Sequence, residues 1–133
     1  MPNAQSQLEN QALSFANSGT ISGSVFLGGN ALVGLAIVGT WTASIMTFRV
    51  SLDGRDPNAD GTWLAVSPIG SAGTEYSIPA ASLALGTTYI PIPPADLPAV
   101  YWLQAKSGAA ALTNAGGTAQ GAARTFVVFT RPV

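Results

Sequence analysis

Residues 41–54, WTASIMTFRVSLDG, contain the signals that decide the fold. Met46 and every second residue after it as far as Leu52 are apolar, whereas Arg49 lies among polar residues on the opposite side of an extended chain. A period of two with aromatic and β-branched residues predicts a half-buried strand. Asp53-Gly54 follows directly and predicts a turn, because glycine accepts positive φ and aspartate hydrogen-bonds the turn backbone. The stretch therefore predicts a strand with two chemically different faces, against which other strands pack.

Further short strands follow from the same pattern in the rest of the chain. Leu35 and Ile37 alternate with Ala36 and Val38, so both faces are apolar. This predicts cover by a second sheet on one face and by a partner or a loop on the other. Gly28-Gly29-Asn30 predicts a hairpin. The predicted strands, besides the one in the opening stretch, cover residues 12–15, 25–27, 32–38, 62–66, 75–78, 89–92, 100–106 and 125–131.

Eight or nine short strands without a long amphipathic helix predict an all-β fold. The expected architecture is a single-domain antiparallel β-sandwich, jelly-roll-like, with about eight strands. Residues 1–11 are polar and aperiodic and predict a flexible N-terminal arm, which leaves residues 12–133 as the sandwich domain. The arm is interpreted either as a disordered tail or as a segment that orders on a neighbouring subunit. The small-residue stretch 107–121 predicts a long loop, either mobile or held by a partner.

Composition argues against several classes of function. Charged residues make up only 8% of the 133 residues, against a typical value of about 25%, and the net charge is −1. This gives no electrostatic footprint for nucleic acid. Histidine and cysteine are absent, which removes the usual general base, thiol nucleophiles and the commonest transition-metal ligands. A surface this poor in charge favours a subunit of an assembly over a freely diffusing enzyme.

No signal for export or membrane insertion is visible in the sequence. Residues 1–11 lack a basic and an apolar signal segment, and the longest apolar run, at residues 31–38, is far shorter than a membrane span. The sequence therefore predicts synthesis in the cytoplasm and no membrane partner.

A weak metal candidate lies in the loop after the opening stretch. Asp56, Asn58 and Asp60 place oxygen ligands at alternate positions before a glycine, as in the first half of a calcium loop. The closing acidic ligand is missing, because position twelve is Ser67. A solvated hairpin loop is the favoured interpretation, and no cofactor is predicted. No catalytic motif or acid–base pair at a characteristic spacing occurs, so the chain is predicted not to be an enzyme.

Two kinds of contact remain open from the residues alone. Arg49 is interpreted as a solvated cation or as a partner of Glu75 or of a neighbouring chain. Aromatic side chains can pack in the core or stack on sugar rings, and packing is favoured. The aromatic candidates are Trp41, Trp63, Tyr76, Tyr89, Tyr101 and Trp102, and the residues predicted to contact partners are Gln5, Gln7, Leu8, Arg49, Trp102 and Leu112.

Beyond these local signals, residues 34–131 resemble small virion proteins of tailed bacteriophages. The shared pattern runs from an apolar strand through W-T-A to T-F-x-x-S-x-D-G, then to a strand that ends in lysine- or arginine-Ser-Gly. The loop at residues 55–60 and the stretch 109–117 depart from it. The residues that carry the resemblance are Gly34, Leu35, Ile37, Trp41-Thr42-Ala43, Thr47-Phe48, Ser51, Asp53-Gly54, Trp63, Glu75, residues 101–108 (YWLQAKSG), Gln120, Ala122, Ala123, Arg124 and Arg131.

The resemblance implies a capsid cement, or decoration, protein on the outside of a phage head. Its expected partners are the major capsid protein and further copies of itself, as a dimer or trimer, and its location is the virion. The family pattern contains no catalytic residues, so none are transferred. Two alternatives stay open: a carbohydrate-binding module on the virion surface, and a head–tail or tail assembly protein.

Overall fold

The computed structural model describes residues 9–53, 55, 57, 62–67, 74–93, 97 and 100–132. Their regular structure consists of strands and one short helix. The elements are β1 (Glu9–Phe15), β2 (Val25–Ile37), β3 (Met46–Ser51), β4 (Leu64–Ala65), β5 (Ser77–Ile78), α1 (Ala80–Leu83), β6 (Thr88–Pro91), β7 (Val100–Ser107) and β8 (Arg124–Arg131).

Strand β3 has the core face that its alternation predicts, but it is not half-buried, because Thr47 and Ser51 on the opposite face are buried as well. Met46, Phe48 and Val50 are buried in the core. On one side β3 pairs with β7 along its whole length, and on the other with the two-residue strands β4 and β5. The alternating apolar residues therefore set the register, because a shift by one residue would turn the core face outward.

The predicted hairpin at Gly28-Gly29-Asn30 is wrong, because strand β2 runs through these residues. Both glycines have positive φ, 68° and 86°, yet the chain continues in the same direction as one strand of 13 residues. The register towards β7 shifts between Phe26 and Asn30, so the glycines form a bulge that bends the strand. Beyond the bend β2 leaves β7 and pairs with β8, from Ala31 to Ile37. The prediction was wrong because positive φ serves a bulge as well as a turn.

The eight strands form one antiparallel sheet that the bend in β2 divides into two halves. The pairs β1–β8, β2–β7, β2–β6 and β3–β5 are nested, as in one long hairpin that has been rolled up. This is a jelly-roll-like arrangement and confirms the predicted all-β sandwich. We call the halves the β1 half (β1, β8, residues 31–37 of β2, and β6) and the β3 half (residues 25–30 of β2, β7, β3, β4 and β5).

Buried side chains from both halves form a single hydrophobic cluster. Near one end of the sandwich Trp41 lies between Phe15 and Phe126, with ring centroids 5.1 and 5.3 Å away and edge-to-face geometry. The Trp41 indole Nε1 donates to the Ser44 carbonyl at 3.1 Å, so its polar atom is satisfied. Trp41 thus packs against the β1 half and closes this end of the core.

The start of β1 differs from the predicted strand. The first strand begins at Glu9, three residues before the predicted start at Ala12, and Glu9 is paired with Thr130. Residues 1–8 lie outside the described residues, so the predicted division into an arm and a sandwich domain stays a prediction. Among the residues that the structure describes, no helix is long and apolar enough to cross a membrane.

Candidate interaction surfaces

A buried lysine organises the loop that follows β7. Lys106 lies on the outer face of the β3 half, but only 2% of its surface is exposed. Its ammonium Nζ donates to the backbone carbonyls of Ala110, Thr113 and Ala115, at 3.1, 2.6 and 2.8 Å. All three donors of the ammonium therefore have acceptors, which a buried cation requires. We call residues 108–117 the lysine loop.

Three further contacts fix the lysine loop, and a fourth joins the residues on either side of it. The Glu75 carboxylate accepts the backbone N–H groups of Ala110 and Ala111, at 2.7 and 2.8 Å. Thr47 Oγ1 donates to the Gly108 carbonyl at 2.6 Å, and the Thr118 N–H donates to the Ser107 carbonyl at 2.7 Å. The ends of the loop are thereby brought together, as in an Ω-loop.

These contacts add a possibility that the sequence did not suggest, and whether a partner also holds the loop stays a prediction. The lysine loop is held by its own chain, through Lys106 and Glu75. Alternation places Lys106 on the polar face of β7, and a lysine there is ordinarily solvated. The glycines at 108, 116 and 117 are the signal that the loop folds back, because all three have positive φ.

Arg49 lies beside the lysine loop, on the same face of the β3 half as Lys106. Its Nε donates to Gln104 Oε1 at 2.6 Å, its Nη1 to Asn114 Oδ1 at 3.2 Å, and its guanidinium lies 4.9 Å from the centre of the Trp63 ring. Partial burial lowers the pKa of the guanidinium, because it removes water from the charged form. The neighbouring strand positions Thr47 and Ser51 are buried by the chain itself.

The structure brings three of the predicted contact residues to one side of the molecule. Trp102 pairs across the strands with Ser51, two positions from Arg49, and its ring centroid lies 5.0 Å from that of Phe26. Leu112 lies in the lysine loop beside Arg49 and is 50% exposed. We call Phe26, Trp102 and Trp63 the aromatic strip. Whether Arg49, Trp102 and Leu112 contact a partner stays a prediction.

The second apolar face of β2 lies on the outside of the β1 half. Tyr89 of β6 covers part of it: the ring lies over Gly34 and the hydroxyl donates to the Val33 carbonyl at 3.2 Å. Ala36 remains half-buried and Val38 is 71% exposed. The predicted cover by a loop or a partner is thus met in part by Tyr89, and the rest of this apolar face is open in the single chain.

A second cation with neutral partners lies at the end of the sandwich, next to the Trp41 segment. Arg124 donates from Nε to Gln120 Oε1, from Nη1 to Thr40 Oγ1 and from Nη2 to Thr42 Oγ1, at 3.3, 3.0 and 3.1 Å. Gln120 is fully buried and donates in turn to the Thr42 carbonyl and to Ser107 Oγ. We call Thr40, Thr42, Gln120 and Arg124 the arginine cluster. It ties the loop after β2 to the segment before β8.

The remaining predicted site residues lie outside the described residues. These are the arm residues Gln5, Gln7 and Leu8 and the weak metal candidates Asp56, Asn58 and Asp60. Within the part of the chain that is described, no three acidic, histidine or cysteine side chains lie close enough together to hold a metal ion. Of the six aromatic candidates, Trp41 is buried in the core and Tyr76 packs against it. Trp63 and Trp102 lie on the outer face of the β3 half, and Tyr89 lies on that of the β1 half. Tyr101 is half-buried, with its ring 6.3 Å from that of Phe26.

Comparison of the chain with protein-family models, with curated proteins and with solved structures gives no match.

Proposed function

We propose that this protein is a structural subunit that binds and stabilises the capsid shell of a tailed bacteriophage through many weak protein–protein contacts. The proposal combines the sequence resemblance over residues 34–131 with the character of the surface. Its partners are the major capsid protein and further copies of this chain, as a dimer or trimer. Its location is the outside of the virion, and no chemical step is involved.

The neutral surface is the observation that carries the proposal. The chain has only 11 charged residues, five basic and six acidic. The Lys106 ammonium is buried under the lysine loop and bonded to its carbonyls. The Glu75 carboxylate binds two backbone N–H groups of that loop, and the Arg49 guanidinium is partly desolvated. The surface is therefore poorer in free charge than the composition suggests. A surface of this kind is typical of a subunit covered by neighbours.

Multivalency gives weak contacts their effect in such an assembly. An interface of standard size buries about 1,600 Å². Smaller contacts hold firmly when several copies bind one shell, because each further contact is made at high effective concentration. A rigid sandwich suits this role, since little conformational entropy is lost on binding. The open apolar face around Ala36 and Val38 is available for such a contact.

The experiment is electron cryo-microscopy of purified particles of the phage that encodes this chain, with mass spectrometry to count copies. Copies distributed over the icosahedral shell are the expected result. Copies confined to one vertex would instead favour a role in head–tail assembly. Particles that lack the chain would refute the proposal. Particles from a deletion mutant should also release their DNA at a lower temperature.

A second candidate, carbohydrate binding, is favoured by the aromatic strip. Two of its three members, Phe26 and Trp102, are in contact, and Phe26 is 44% exposed. The Trp102 indole Nε1 is buried and has no hydrogen-bond partner within the described part of the chain. Sugar rings stack on such surfaces through their apolar faces. Glycan-array binding that is lost in Phe26→Ala would support this candidate, whereas no binding by the wild-type protein would reject it.

A further inference from the structure

The end of the sandwich around Arg124 contains a cation that neutral side chains hold in position. Arg124 is half-buried, and its three guanidinium nitrogens are held by neutral oxygens of the arginine cluster. Within the described residues, no carboxylate lies within ion-pair distance of it. The cation is thus fixed in position, and its charge is not neutralised by the part of its own chain that is described.

Two exposed apolar residues lie in turns that are connected to the arginine cluster. Gly39 follows Val38 directly, precedes Thr40 of the arginine cluster and donates its N–H to Thr87 Oγ1 at 3.2 Å. That contact brings the turn that contains Leu85 and Gly86 next to the turn that contains Val38. Val38 and Leu85 are 71% and 77% exposed, the largest values among the exposed large apolar residues that the structure describes.

We propose that Val38, Leu85 and Arg124 together form the surface that docks on the shell, with an aspartate or glutamate of the shell protein bound to Arg124. This inference rests on the proposed function and specifies which end of the molecule makes the contact. A guanidinium held in fixed orientation matches the two oxygens of a carboxylate. Apolar neighbours exclude water around that pair, as around the arginine anchors of protein interfaces.

Charge substitutions at the two apolar positions test the inference without disturbing the arginine cluster. Val38→Asp and Leu85→Asp place a negative charge beside the carboxylate of the partner and should weaken binding to the shell about tenfold at low salt. Val38→Lys and Leu85→Lys lose the same apolar contact but attract that carboxylate, so they should bind more tightly than the corresponding Asp variants. The difference between the Asp and Lys variants should shrink as the salt concentration rises.

Leu52 provides the matched control. Leu52 is 56% exposed and directly follows Ser51, the last residue of β3. The arginine cluster lies near the other end of that strand, because Met46 pairs with Ser107 and the Ser107 hydroxyl accepts a hydrogen bond from Gln120. Leu52→Asp and Leu52→Lys should both bind like the wild-type protein. The measurement is the number of copies of each variant per purified particle, together with the variant's melting temperature as a check of folding.

The outcomes separate this inference from the proposed function. If the wild-type protein covers the shell and the Asp and Lys variants at Val38 and Leu85 behave alike, no carboxylate lies opposite Arg124, and the inference fails alone. If the Leu52 variants show the same dependence on the sign of the charge, the docking surface is not at the Arg124 end. If the wild-type protein is not on the shell, the proposed function fails as well.

Discussion

Replacing Lys106 with methionine should destabilise the protein by about 3 kcal/mol. Methionine keeps most of the side-chain volume but removes the ammonium that three carbonyls share. Each buried carbonyl left without a donor costs about 1–3 kcal/mol. Two effects reduce the sum. A buried charge no longer has to be desolvated. In addition, all three acceptors, Ala110, Thr113 and Ala115, lie at exposed positions where water can replace the lost donor. About 3 kcal/mol corresponds to a lower melting temperature by roughly 10 °C for a domain of this size.

Urea unfolding measures this loss, and amide hydrogen exchange locates it. Exchange should accelerate in the lysine loop and at its Glu75 contacts, and stay slow in the core strands β3 and β8. Arg131→Met is the matched control, because it removes an exposed cation, and it should change stability by less than about 0.5 kcal/mol. A Lys106→Met protein as stable as the wild type would refute the role given to the ammonium. A destabilised variant with unchanged exchange in residues 108–117 would also refute it.

Three further predictions concern contacts of single residues. Glu75→Gln keeps one acceptor for the N–H groups of Ala110 and Ala111 and should cost about 1 kcal/mol, with faster amide exchange at both positions and no change in the core. Gly117→Ala should cost about 1–3 kcal/mol in urea unfolding, because φ is +93° and a Cβ would lie 2.6 Å from the Ser107 carbonyl oxygen. Gly116→Ala, with positive φ but open space, should cost less, and equal losses would contradict the close approach. Gly34→Ala should push Tyr89 off the sheet, because a Cβ would overlap its ring. Its tyrosine fluorescence should then be quenched more readily by iodide, and unchanged quenching would argue against the contact.

The sequence was most informative where a residue's environment depends on its neighbours along the chain. The alternation around Phe48 and around Phe126 identified two core strands and their buried faces. Gly28 and Gly29 were misread because a local pattern does not distinguish a bulge from a reversal when both need positive φ. Whether the chain turned back there was decided by β7 and β8, which lie far away in the sequence.

The polar contacts were beyond the reach of local patterns for the same reason. Lys106 alternates with core residues and reads as a solvated strand end, and it is buried only because residues 110–115 fold over it. The arginine cluster joins Thr40 and Thr42 to Arg124, more than 80 residues away. For Arg49 the sequence suggests solvent, Glu75 or a neighbouring chain as the partner, whereas its partners in the chain are Gln104 and Asn114, which lie on other elements. A resemblance of short motifs marked several of these positions without indicating how they meet.

The position of β8 between β1 and β2 has a consequence for how the chain acquires its structure. Glu9 pairs with Thr130, so the first described strand cannot enter the sheet until β8 has been synthesised. Closing so long a loop is entropically costly, and folds dominated by distant pairings form slowly. Until β8 is available, apolar side chains of both neighbouring strands therefore stay exposed in the unfolded or partly folded chain. These include Leu13 and Phe15 of β1 and Leu35 of β2. Folding is then expected as one late step, and a chain cut before residue 124 would lose the partner of both neighbouring strands at once.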